Sequence, residues 1–289
     1  MKLPRTLVLV LTIVSGSGTA SDDWLGLEPE QPILIGFDLG QDEVEDLSAA
    51  FVLSLPLGNS AGYYGYYGNT QLSDDGQEFD SLTLATVIWF ELSELLELEV
   101  QHFFEGNSDE LEKETLGLSL AMSRGDWNFR VQLEEGDLLI FTNDDIRDFL
   151  DTFVPDRFDS DVSGYTLALG RQVDPWYWQI RYQRYDYEED LTPLSRSLFA
   201  QFIFKSSALT QSSLLISRSS SLLLGHADYD NDYSISIYQD KSAIDDSKEE
   251  TLLLSWQHWA SQQLGYLFAA SIPVPGDSIG VTLGLRWVL

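Results

Sequence analysis

From Pro32 to the last residue the chain is written almost wholly in a period of two. Leu82, Leu84, Thr86, Ile88 and Phe90 fall on one face of an extended segment. Leu96, Leu98, Val100, His102 and Phe104 share a face of the next segment, and Leu116, Leu118, Leu120 and Met122 a face of the one after. Trp127, Phe129, Val131 and Leu133 follow, then Tyr165, Leu167 and Leu169, then Trp176, Trp178, Ile180 and Tyr182. Further sets are Leu198, Ala200, Phe202 and Phe204; Tyr233, Ile235 and Ile237; Leu252, Leu254, Trp256 and His258; and Leu264, Tyr266, Phe268 and Ala270. Successive side chains of a strand point to opposite faces, so this pattern, sustained between turn signals, predicts an all-β protein.

The connections alternate as well. P-L-G-N-S, S-R-G-D, Q-V-D-P and W-A-S-Q-Q are tight turns, and between them lie longer acidic links such as Q-D-E-V-E-D and Y-E-E-D-L-T-P. The longest link is expected over 135–162, where Ile146, Phe149, Leu150 and Phe153 have helical spacing. No break in composition marks a linker, so residues 21–289 read as one domain.

Composition bounds the partners. A formal charge of −31 at pH 7, from 16 Lys+Arg against 47 Asp+Glu, excludes nucleic acid as a partner, because that needs a basic patch. Hydrophobic residues at 44% are too many for a disordered acidic polypeptide. With no cysteine there is neither a disulfide nor a thiolate metal site, and a lipidated N-terminal Cys is excluded. The N-terminus has Lys2 and Arg5, an apolar run too short to span a bilayer, and Gly18 and Ala20 before Ser21. That is the layout of a secretory leader cleaved after residue 20.

Polar residues face the apolar sets across each strand: Glu97, Glu99 and Gln101; Arg130, Gln132 and Glu134; Arg181 and Gln183; Lys205; Arg286. A soluble sandwich has the same two-faced strands. The leader, strands near the 9–11 residues that cross a bilayer at a tilt, and alternating short and long loops favour a transmembrane barrel. Trp127, Tyr165, Trp176 and Trp287 near strand ends suit interfacial girdles.

The chain ends in S-I-G-V-T-L-G-L-R-W-V-L, with Leu283, Leu285, Trp287 and Leu289 on one face. This strand resembles the C-terminal assembly signal of bacterial outer-membrane β-barrel proteins, with Leu289 where that family carries a terminal aromatic. The resemblance implies a transmembrane antiparallel up-and-down barrel in a Gram-negative outer membrane, closed by pairing of the last strand with the first. It also implies recognition by the barrel assembly machinery and contact with lipid and lipopolysaccharide. Sixteen strands are expected if S-L-L-I-S and S-L-L-L-G-H-A are separate, and fourteen otherwise; either count leaves a lumen.

Lumen charges are therefore the functional feature. Glu97, Glu99 and Glu134 against Arg130, Arg181, Lys205 and Arg286 imply sorting of small polar solutes or cations, with the acidic loops favouring cations. No cofactor and no catalytic residue are expected. H-W-A-S at 258–261 does not form a nucleophile motif, and His102 and His258 sit on apolar faces. Asp228, Asp230 and Asp232 have the spacing of the first calcium-loop ligands, but Tyr233 and Gln239 replace the Gly and Glu such a loop needs. A-G-Y-Y-G-Y-Y-G reads as a bent strand whose tyrosines cover glycine gaps. The alternative to a channel is a surface barrel whose acidic loops meet divalent cations, lipopolysaccharide or a partner.

Overall fold

The computed structural model describes residues 33–41, 47–58, 60–74, 77–107, 111–141, 157–192, 215–274 and 279–289. They form fourteen strands. In chain order these are β1 (Leu34–Gln41), β2 (Leu47–Pro56), β3 (Ala61–Asp74), β4 (Gln77–Ser93), β5 (Leu96–Asn107), β6 (Leu111–Arg124) and β7 (Trp127–Phe141). Then follow β8 (Arg157–Val173), β9 (Trp176–Tyr187), β10 (Ile216–Ala227), β11 (Asn231–Ser242), β12 (Lys248–Trp259), β13 (Leu264–Val274) and β14 (Gly280–Val288). Each strand pairs antiparallel with its sequence neighbours, and β14 pairs with β1 from Leu34↔Val288 to Gln41↔Val281, so the sheet is a closed up-and-down barrel.

Closure leaves no unpaired edge, the condition a lipid-facing backbone imposes. Among the described residues no helix is long and apolar enough to cross a membrane, so any crossing falls to the strands. The side chains separate as the alternation predicts. On β6, Leu116, Leu118, Leu120 and Met122 point out and are exposed, while Thr115, Gly117, Ser119 and Ala121 point in and are buried. Trp127, Trp176 and Trp287 ring the outer wall at the short-turn end, and Tyr165 and Tyr182 lie together higher on it, ring centroids 6.0 Å apart. His102 is outward too, its Nε2 2.7 Å from Glu114 Oε1.

The apolar side changes face along the longer strands. On β7 the outward Trp127, Phe129, Val131 and Leu133 give way to Glu135 and Asp137, while the inward Leu138 and Ile140 are buried. The same inversion sets inward Leu111 on β6 and Val162 on β8, and these pack with Tyr185, Leu191, Leu215 and Ile244. The apolar band of the outer wall ends there, as it does on a barrel whose strands outreach a band about 25 Å tall. Beyond it the outside meets water, and the inside can be dry. The main core of this barrel therefore lies inside its long-turn end.

Of the two expected strand counts the described residues give fourteen, because Ile216–Ala227 is one strand with a single register irregularity between Ile216 and Arg218. The link expected over 135–162 shortens, because Glu135↔Ser163 through Phe141↔Arg157 are paired within β7 and β8. The expected strand face Leu198–Phe204 and the helical spacing Ile146–Phe153 lie outside the described residues, as do the leader and Lys205.

Candidate functional site

Nine of the expected lining side chains lie on the inward face: Glu97, Glu99 and Gln101 on β5, Arg130, Gln132 and Glu134 on β7, Arg181 and Gln183 on β9, and Arg286 on β14. They are not arranged as facing rows. β5 and β7 are separated by β6 alone, so Arg130 shares a wall with the glutamates. Its Nη2 stands 2.8 Å from Glu99 Oε1 and 4.0 Å from Glu97 Oε1. Local neutralisation therefore replaces much of the transverse field that the sequence implied.

The remaining polar groups also pair along the wall. The Gln132 amide donates to Glu134 Oε1. Arg181 Nη2 donates to Gln183 Oε1 at 3.3 Å, and the Gln183 amide in turn donates to the Tyr185 hydroxyl. Gln101 and Glu134 lean from both sides toward Gly117, which leaves room for them. Wider aromatic fillers act likewise, with Trp89 over Gly62, Tyr185 over Gly164, Tyr177 over Gly225 and Trp259 over Gly265. At these positions a side chain packs over a glycine of the neighbouring strand. In the tyrosine-rich stretch, Tyr63 covers outward Gly65 and Tyr66 covers inward Gly68.

Sequence reasoning missed several inward charges. Asp38 on β1 takes a bidentate bond from Arg286 on β14, Nη1 to Oδ1 at 2.5 Å and Nη2 to Oδ2 at 2.9 Å. Lys113 on β6 is fully buried, with Nζ 3.6 Å above the Tyr185 ring and the Glu105 and Glu134 carboxylates acting on it. Asp240 is buried on β11. The signal was present for Lys113 and Glu105, which continue the Thr115–Ser119 and Glu97–Gln101 phases by one or two steps. Among the described inward residues carboxylates outnumber cations, with Glu105, Asp240 and Glu249 adding to those already named.

Asp228, Asp230 and Asp232 do not converge. Asp228 Oδ1 accepts from the Asp230 and Asn231 backbone N–H groups at 3.1 and 2.8 Å and from Asn231 Nδ2 at 3.0 Å. Those bonds, that of the Asn231 side chain foremost, hold the Asp228 carboxyl below its ordinary range. Asp232 points inward and accepts from the Tyr177 hydroxyl at 2.5 Å. Among the described residues no group of three or more His, Asp or Glu side chains is placed to hold a metal ion. His258 is outward, with Nδ1 3.0 Å from Asn231 Oδ1. On the outer wall Leu283, Leu285, Trp287 and Leu289 are all exposed.

No protein-family model matches the chain, and no curated protein matches it. Solved structures similar in fold include a KdgM porin, at TM-score 0.46 and 8% identity over 89% of this chain and 99% of that one. The Acinetobacter baumannii protein OccAB1 aligns at TM-score 0.47 and 9% identity, over 89% of this chain and 95% of that one. A further porin aligns at TM-score 0.46 and 9% identity, over 90% of this chain and 100% of that one. At such identities the likeness is one of fold and says nothing of solute or selectivity for this chain.

Proposed function

We propose that this barrel is a passive channel for small polar solutes, mildly preferring cations, in the outer membrane of a Gram-negative bacterium reached by export on a cleaved leader. The observation that carries the reading is the two-faced closed wall, apolar outside and charged inside, in which inward carboxylates exceed inward cations. An excess of fixed negative charge raises the local concentration of cations at a mouth or constriction. No reacting group is needed for such a function.

The test is ion conductance of refolded protein in a planar bilayer under a potassium chloride gradient, using only the fraction whose gel mobility shifts on heating. A reversal potential of cation-selective sign is expected. Glu97→Gln with Glu99→Gln leaves Arg130 without its carboxylates and should move that potential toward the anion side. A folded barrel that never conducts sinks the channel reading. Selectivity unchanged in the double variant removes Glu97 and Glu99 from the conduction path.

A further inference from the structure

We propose that the lumen holds a binding site for small monocarboxylates with an apolar body, such as arylalkanoates, an inference that rests on the channel reading above. Charge matching around the wall is what locates it. Arg130 is met by Glu99, Arg286 by Asp38, and Lys113 by the Glu105 and Glu134 carboxylates. Arg181 on β9 is the one inward cation among the described residues that forms no ion pair. Its Nη2 donates to the neutral Gln183 Oε1 at 3.3 Å. Its charge reaches the Asp240 carboxyl, two strands away on β11, without pairing with it.

The guanidinium is also within reach of the lumen. Arg181 is partly exposed on the inward face, and the positions opposite it are the small Ala168 on β8 and Ser221 on β10. Neither side chain is long enough to cover it. An arginine presents several N–H donors in one plane, and the Gln183 amide oxygen takes only one of them. A carboxylate accepts two parallel bonds from such a fork and supplies the missing charge. A charge partly withdrawn from water and left unmatched is costly, so a wall that pairs its other cations points here to an anion from outside the chain.

The apolar half of the site lies beside it. Leu223 on β10 and Tyr238 on β11 face inward, each partly exposed. Ser221 is opposite Arg181 and Tyr238 is opposite Ser221, so arginine and tyrosine stand in one row with a serine between them. Leu223 is the next inward residue after Ser221 toward the short-turn end. Tyr238 packs on the buried Leu253 and Ala269, which gives its ring a firm apolar floor. Arg181 and Tyr238 are two strand spacings apart, roughly 10 Å, which suits a carboxylate joined to a phenyl ring by a short chain. Apolar side chains reach the lumen elsewhere, as Phe103 does on β5, but no unmatched cation stands beside them among the described residues. The acidic excess of the lumen disfavours bare anions, so a carboxylate without an apolar body should bind poorly.

The experiment uses 3-phenylpropionate as probe, with acetate to remove the apolar body and 3-phenylpropionamide to remove the charge. Two readouts are taken on the refolded chain: block of the potassium current in a planar bilayer, and titration calorimetry in detergent. The variants are Arg181→Gln, Arg181→Lys and Leu223→Ser. A saturable block by 3-phenylpropionate is expected, with acetate and the amide each about ten-fold weaker or more. Arg181→Gln should weaken 3-phenylpropionate about ten- to a hundred-fold, as loss of hydrogen bonds to a charged group does. Arg181→Lys, which keeps the charge and loses the fork, should weaken it less. Leu223→Ser should weaken 3-phenylpropionate and leave acetate unchanged. If Arg181→Gln does not fold, the other two variants carry the same comparison. A conducting barrel without saturable block, affinity unchanged in the variants, or acetate bound as tightly as 3-phenylpropionate overturns the site and leaves the channel standing. If the folded barrel passes no current, the channel reading fails. The site then stands only if calorimetry shows binding that the variants weaken, and it falls if no such binding exists.

Discussion

The seam between the first and last strands should depend on one ion pair. Asp38 is 4% exposed, and the Arg286 side chain 12%, in a bidentate contact across β1 and β14. Gly284 lies opposite Asp38, and Gly36 lies opposite Arg286. A methyl group on Gly36 would meet the Arg286 guanidinium at 3.0 Å, so the glycines provide the space in which the two side chains meet. Removing one member leaves the other buried and uncompensated, which costs about 3–5 kcal/mol. Replacing both by apolar residues of similar size removes that penalty, since buried pairs exchanged together are often near neutral. Asp38→Leu and Arg286→Met should therefore each shift the folding equilibrium by roughly two to three and a half orders of magnitude. Together they should cost less than either single, so that the double falls well short of the sum. The assay is urea unfolding of the barrel in lipid vesicles, followed by tryptophan fluorescence, for wild type, both singles and the double. Strict additivity, or singles that cost less than about 1 kcal/mol as exposed pairs do, refutes the argument that the seam is held by a desolvated pair.

Two further outcomes follow from the short-turn end and the wall. Gly225→Ala should drive the Tyr177 ring from its place and break its bond to Asp232; a loss of about 1–3 kcal/mol by urea unfolding is expected, and Tyr177→Leu in the same chain should restore much of it. Asp228 has a folded-state pKa below its unfolded value, so its stabilisation is complete above the unfolded value and disappears as pH falls through the folded one. The difference in urea midpoint between wild type and Asp228→Asn should then be constant from about pH 5 upward and vanish in stronger acid; a difference that persists there shows that the carboxylate charge is not what orders the turn.

How much of this barrel the sequence reveals depends on what each residue type costs where it sits. Alternation found most strands and both faces because an apolar outer wall and a polar interior impose opposite requirements on neighbouring residues. It failed to decide whether Ile216–Ala227 is one strand or two, because that stretch, now β10, opens with serines of which Ser219 and Ser221 point inward. Serine costs nothing against a polar interior, so the composition of a lumen-facing strand and that of a turn coincide. It failed again at L-E-E-G-D-L-L-I-F on β7, where the apolar phase slips from odd to even positions. There the strand leaves the apolar band, and the side requiring hydrophobic residues changes with it.

The lining residues could be named for their face but not for their partners. Which strand carries a residue is local information, whereas the height at which two strands meet is set by the stagger of the closed barrel. Arg130 and Glu99 are two strands apart, and no spacing within either segment predicts their contact. The same reasoning explains why Asp38 was overlooked: its partner Arg286 is 248 positions away and becomes a neighbour only when β14 closes on β1. A residue-by-residue account of the lumen therefore overstates free charge, since closure pairs charges that the chain keeps apart. Closure also leaves polar atoms buried without partners: on β6, β8 and β11 these are the Ser119, Thr166 and Ser236 hydroxyls, Arg171 Nε and Asp240 Oδ1.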